Sequence, residues 1–223
     1  MTMRVKICGL STPETLEAAL DAGADLVGFV RFPRSPRHVE LDAGRALARQ
    51  AQGRAERVVL LVDPDDAELE RSVAALDPDL IQLHGSETPE RVAAIRARLG
   101  RPVMKALGIA EAADLAGLAP YSQAADRVLL DAKPPRTPDA LPGGNGLSFD
   151  WRLLAGLDPR LSFMLSGGLT PDNVGEAIAL TGARAVDVSS GVESRPGLKD
   201  PAKIEAFVRA AKAAFPESAA RRA

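Results

Sequence analysis

The sequence predicts an α/β fold, a single (β/α)8 TIM barrel with a parallel eight-stranded sheet. Three observations carry that prediction. Eight short aliphatic runs recur at an even pace, each is followed by an Ala-rich amphipathic stretch, and turn residues punctuate the whole chain. The 223 residues then divide into units of about 28, near the lower end for such a barrel. Alternation of strand and helix does not by itself close a sheet, so an open doubly wound sheet is the competing arrangement.

The runs are Arg4–Cys8, Asp25–Val30, Arg57–Val62, Leu80–His84, Pro102–Leu107, Arg127–Asp131, Leu161–Ser166 and Ala185–Ser189. Apolar residues occupy both parities of these runs, as suits parallel strands buried on both faces. Helix starts are written between them. Thr12-Pro13-Glu14 places a cap, a first-turn proline and an acid before an apolar period that stops at Gly23. The same device recurs at Thr88-Pro89-Glu90 and at Thr170-Pro171-Asp172. The Pro/Gly-rich stretch Lys133–Gly146 reads as a long loop after strand six, with strand and helix patterning resuming beyond it. No composition shift marks a second domain, so residues 1–215 are expected to form one barrel and 216–223 a frayed tail.

Composition narrows the function classes. Lys and Arg number 28 against 30 Asp and Glu, a net charge of −2, which argues against a nucleic-acid or polybasic membrane surface. One cysteine forms neither an internal disulfide nor a Cys-rich zinc site, and two scattered histidines give no metal motif. Neither a signal peptide nor a long apolar span is apparent, so a soluble cytoplasmic protein is expected. No P-loop or dinucleotide fingerprint is present, and no cofactor is expected.

In a barrel of this kind the chemistry lies at the C-terminal ends of the strands. Those ends supply Lys6, Cys8, the loop Arg31–Arg37, Asp63, Gln82, His84, Lys105, Asp131 and Lys133, then Ser166-Gly167-Gly168 and Asp187 through Gly191. Cys8 is either a buried space-filler or a thiolate base or nucleophile, ionised by a cation such as Lys6 or Arg37. Asp131 follows three aliphatic residues and is either a general acid or the ion-pair partner of Lys133. His84 either shuttles protons or orients a neighbour. Ser166-Gly167-Gly168 precedes a Thr/Pro-capped helix and Ser189-Ser190-Gly191 follows strand eight, small-residue clusters in the last two units suited to cradling a phosphate. Arg37 belongs to a solvated basic loop or offers a guanidinium fork to a carboxylate. The run Gly143–Gly146 is a lid or a plain surface loop.

Taken together, KICGL at Lys6–Leu10, GFVRFPRSPRHV at Gly28–Val39, QLHG at Gln82–Gly85, LLDAK at Leu129–Lys133, GGNGLSFDW at Gly143–Trp151, LSGGLTPDNV at Leu165–Val174 and VDVSSGVESRPGLKD at Val186–Asp200 resemble the phosphoribosylanthranilate isomerase family. The resemblance runs from Val5 to about Phe207, and the opening and closing motifs in this order are highly specific. It implies a (β/α)8 barrel that isomerises N-(5-phosphoribosyl)anthranilate, a small-molecule phosphoribosyl substrate, in tryptophan biosynthesis. It also implies Cys8 as general base, Asp131 as general acid and Arg37 as holder of the anthranilate carboxylate. The phosphate falls to Gly167, Gly168, Ser189 and Ser190. Members are monomers or homodimers. Arg31, Arg34, the GGNG loop and LSGGL depart from the family's usual pattern. Another sugar-phosphate isomerase on the same barrel, or a non-catalytic phosphate-binding barrel, are the rival readings.

Overall fold

A computed structural model of the protein describes residues 2–135, 141–158 and 161–215. Eight parallel strands pair in chain order: β1 (Arg4–Cys8), β2 (Leu26–Arg31), β3 (Glu56–Leu61), β4 (Leu80–Leu83), β5 (Val103–Ile109), β6 (Arg127–Ala132), β7 (Phe163–Leu165) and β8 (Ala185–Val188). The decisive pairing is the last. β8 returns to β1 with Arg4 opposite Ala185 and Ile7 opposite Val188, which closes the barrel and excludes an open sheet.

The period of two sorts side chains between two compartments. Val5, Ile7, Val27, Phe29, Val59, Leu61, Val128 and Leu130 belong to the core shared with the helices. Leu26, Val58, Leu80, Met104, Leu129 and Met164 form a separate cluster inside the barrel, and Cys8, Val30 and Leu60 a third. Lys6, Gln82 and Asp187 are buried polar residues of the same strands.

The helices are α1 (Pro13–Asp21), α2 (Leu41–Ala51), α3 (Asp66–Leu76), α4 (Pro89–Leu99), α5 (Leu118–Ala124), α6 (Val174–Thr181) and α7 (Pro201–Ala214). Two of the three Thr-Pro starts cap as expected. Thr12 accepts from the Thr15 N–H and Thr88 from the Arg91 N–H, each at 3.3 Å. The third does not. α6 begins only at Val174, because the Asn173 side chain accepts from the Thr170 N–H at 2.8 Å and donates to the Gly168 carbonyl at 2.9 Å. That clamp holds residues 170–173 in a turn and ties it to the glycine pair.

Two further departures follow strands six and eight. Between β6 and β7 a 3₁₀ turn, Trp151–Gly156, stands where a helix was expected and packs against α6. After β8 a small antiparallel hairpin, β9 (Glu193–Arg195) with β10 (Leu198–Lys199), precedes α7. Among the described residues no helix is long and apolar enough to cross a membrane. The tail expected at 216–223 lies outside the described residues.

Candidate active site

The C-terminal strand ends open onto one pocket. Cys8, Arg37, His84, Asp131, Gly167, Gly168, Ser189 and Ser190 all line it, so the topology gathers every predicted site residue from six separate loops and strands.

Cys8 ends β1 with its thiol buried. Gly28, opposite it on β2, is what makes the room: a Cβ there would sit 3.0 Å from the Cys8 sulfur and 3.3 Å from Lys6 Nζ. Lys6 is fully buried and pairs with Asp187 at 2.8 Å. Burial works against its charge, but Asp187 and Cys8 together outweigh it and hold the Lys6 pKa above the usual lysine value. Burial pushes the Cys8 thiol up, with Lys6 the main opposing influence, Asp187 adding to the rise and Lys199 opposing it. Of the two cations named from sequence, Lys6 is therefore the one that acts on the thiol.

Arg37 is engaged elsewhere. Its Nε and Nη2 donate to Glu193 at 2.7 and 2.8 Å, and Nη2 also reaches the Gly144 carbonyl at 3.2 Å. Glu193 in turn accepts from Lys199 at 2.8 Å. Burial would raise the Glu193 pKa, but Arg37 and Lys199 hold it below the usual carboxylate range. Lys199 also donates to the Ser189 carbonyl at 2.9 Å, and the Ser189 hydroxyl to the Cys8 carbonyl at 3.2 Å. Sequence reading missed both Glu193 and Lys199. The only available signal was a Pro-Gly turn flanked by opposite charges, in the segment ESRPGLK.

Asp131 at the end of β6 accepts from the Ala132 N–H through Oδ1 at 2.8 Å, while Oδ2 faces His84 Nε2 at 3.2 Å. Its expected alternative partner, Lys133, is bound to Asp114 at 2.5 Å. The ion-pair reading of Asp131 with Lys133 is thus corrected to a carboxyl–imidazole pair. His84 Nδ1 lies 3.0 Å from the amide nitrogen of Gln82.

Lys105, Arg31 and Asp63 are among the strand-end groups outside this pocket's lining. Lys105 pairs with Glu87 at 2.8 Å and donates to the Gly85 carbonyl at 2.6 Å, because its parity is opposite to that of Met104 and Ala106. Arg31 likewise donates to the Val39 carbonyl at 2.6 Å and to Glu68 at 2.9 Å, so this departure from the family pattern lies behind the barrel wall. Asp63 accepts from the Ser86 N–H at 2.7 Å and borders a neighbouring hollow.

Gly167 and Gly168 take φ of +90° and +66°, a left-handed backbone that only glycine adopts freely. A Cβ at Gly167 would stand 2.6 Å from the Ala132 nitrogen. The Gly143–Gly146 run lies over the pocket: a Cβ at Gly143 would meet His84 Nε2 at 2.7 Å and Asp131 Oδ2 at 2.8 Å, and one at Gly144 would meet Arg37 Nη1 at 2.6 Å. Val30, Phe32, Leu60 and Val62 give the pocket an apolar wall.

The chain matches one family over most of its length. The family model described as N-(5'phosphoribosyl)anthranilate (PRA) isomerase matches residues 5–210. The N-(5'-phosphoribosyl)anthranilate isomerase of Azorhizobium caulinodans is 66% identical over 214 residues, covering 96% of this chain and 93% of that protein. The Bradyrhizobium diazoefficiens protein of the same name is 59% identical, covering 96% of this chain and 95% of its own length. The crystal structure of phosphoribosyl anthranilate isomerase from Thermotoga maritima superposes with a TM-score of 0.85 at 34% identity, over 95% of this chain and 99% of that one. The chain belongs to the N-(5'-phosphoribosyl)anthranilate isomerase family.

Proposed function

We propose that Cys8 is the general base and Asp131 the general acid of the reaction this isomerase catalyses. That reaction is the Amadori-type rearrangement of N-(5'-phosphoribosyl)anthranilate to 1-(2-carboxyphenylamino)-1-deoxyribulose 5-phosphate in tryptophan biosynthesis. The observation that carries the assignment is the pairing of environments in one pocket. A thiol beside the buried ammonium of Lys6 faces the same space as a carboxyl backed by an imidazole.

Asp131 gives its proton to the ring oxygen as the bond from that oxygen to C1 breaks, and the nitrogen lone pair forms a C1 iminium. The iminium acidifies the hydrogen on C2. Cys8, as thiolate, takes that proton, and the C–H electron pair becomes the enolamine double bond. Ketonisation adds a proton at C1 and removes one from the C2 hydroxyl. Each enzyme-assisted proton transfer contributes about 10²–10⁴-fold.

The rest of the pocket supplies anchors. The turns at Gly167-Gly168 and Ser189-Ser190 take the phosphate, while the apolar wall of Val30, Phe32, Leu60 and Val62 receives the aromatic ring. Arg37 binds the anthranilate carboxylate with the part of its guanidinium not given to Glu193. Anchors at both ends hold the sugar between acid and base.

The test is the decay of phosphoribosylanthranilate fluorescence on adding protein. Cys8→Ala and Asp131→Asn should each lower kcat by at least ~10²-fold while circular dichroism stays native. Turnover near that of the wild type in either variant removes that residue's role. Binding without any turnover by the unaltered protein would instead favour a non-catalytic barrel.

A further inference from the structure

Gln82 is a fully buried amide on β4, set in the barrel interior between Leu60 of β3 and Met104 of β5 in the sheet register. Its Nε2 stands 3.0 Å from His84 Nδ1, whose other ring nitrogen stands 3.2 Å from Asp131 Oδ2. Its Oε1 is buried without a hydrogen-bond partner among the described residues. A buried amide oxygen left unpaired is costly, and such groups call for a reason.

We propose that Gln82 is a positioning residue whose amide orientation sets the tautomer of His84 and, through it, whether Asp131 holds a proton. The inference rests on Asp131 being the acid. Side-chain amides present a donor and an acceptor of nearly the same shape, so a half-turn about the last torsion exchanges them in place.

With the nitrogen toward His84, Nδ1 must be the acceptor. The ring then carries its one proton on Nε2 and donates it to the ionised Asp131 carboxylate. With the oxygen toward His84, Nδ1–H donates to Gln82 and Nε2 is bare, ready to accept from the protonated carboxyl. The first arrangement holds one proton on the imidazole–carboxyl pair and the second holds two. Passing from the first to the second takes up one proton from solvent, and the transfer to the substrate's ring oxygen gives that proton away. A side chain with a donor alone or an acceptor alone serves only one of these states. Glutamine serves both.

Among the described residues, Gln82 is the side chain that hydrogen-bonds His84 Nδ1. The further ionisable groups around the pair are Cys8 of β1, Arg37 after β2, Asp187 of β8 and, in the adjoining hollow, Asp63 after β3. Arg37 and Asp187 are committed to Glu193 and Lys6, and Asp63 to the Ser86 backbone.

The experiment reads the tautomer directly. The chain has two histidines, so two-bond ¹H–¹⁵N spectra with His38→Asn for assignment isolate His84. At about pH 8, where an ordinary carboxyl is ionised, unaltered protein should show His84 protonated on Nε2. Gln82→Glu, which offers only an acceptor, should move the proton to Nδ1 or place one on each nitrogen. Gln82→Met should lower kcat about tenfold with KM within about twofold, since one orienting hydrogen bond is lost and no substrate contact is.

An unchanged tautomer in Gln82→Glu, or wild-type kcat in folded Gln82→Met, overturns the proposal. If neither variant folds, the wild-type spectrum decides: a proton on Nδ1 alone under those conditions contradicts it. Failure of the acid assignment itself would show separately, as wild-type turnover in Asp131→Asn.

Discussion

Cys8 illustrates how one side chain's chemistry is set by what lies within a few ångströms of it. Burial favours the neutral thiol, and the ammonium of Lys6 opposes that without overcoming it. The thiol is therefore held with a pKa above its usual value in the free enzyme. Its protonated form stabilises the fold below the unfolded thiol pKa of about 8.5, and that contribution is lost as pH rises past it. Alkylation by iodoacetamide should therefore follow an ionisation midpoint above about 8.5. A midpoint near neutrality would show that Lys6 dominates instead. At this scale much was legible in sequence, because Cys8 and Asp131 each end an apolar run. The partners were not. Arg37 meets Glu193 across 156 positions of chain and Lys6 meets Asp187 across 181, separations that no local pattern encodes.

Among the elements, the loop after β6 most directly couples backbone to chemistry. Gly143 and Gly144 lie against the His84–Asp131 pair and Arg37, and side chains there would collide with both. Gly144 has a φ of +72°, so replacing it mixes backbone strain with the collision. Gly143 has no such constraint, which makes Gly143→Ala the clean probe. Its methyl should displace the loop and lower kcat/KM by between about 10-fold and 10²-fold, with the thermal midpoint little changed. Wild-type kcat/KM in that variant would show that the loop's approach to the pair is irrelevant to turnover. The presence of this loop was readable from its Pro/Gly content, whereas its position over the pocket depends on where β6 points. Thr-Pro starts show the same limit. Two cap helices as written, but at the third Asn173 bonds back to Thr170 and Gly168 and delays α6.

For the whole molecule, buried charge pairs link strands to the loops behind them. Lys105 and Glu87 are both nearly inaccessible, and Glu87 also accepts from the backbone N–H groups of Asp63 and Gly85. The pair thus ties β5 to the loops after β3 and β4. Lys105→Met should strand the Glu87 carboxylate and destabilise the protein by about 3–5 kcal/mol, read as a lower urea midpoint. An unchanged midpoint would mean that Glu87 takes up a proton or a new partner at little cost. The sequence alone determined the eight-unit alternation, the two working helix caps and the glycine and polar residues at the strand ends. These are local signals, because burial of both faces of a strand and capping of a helix act over a few residues. Only the tertiary structure decided that β8 closes on β1, and which polar strand ends face the pocket. It also decided which cation each carboxylate takes. A one-residue change of parity sends Lys105 behind the wall while Asp131 enters the site, and closure brings together groups most of the chain apart.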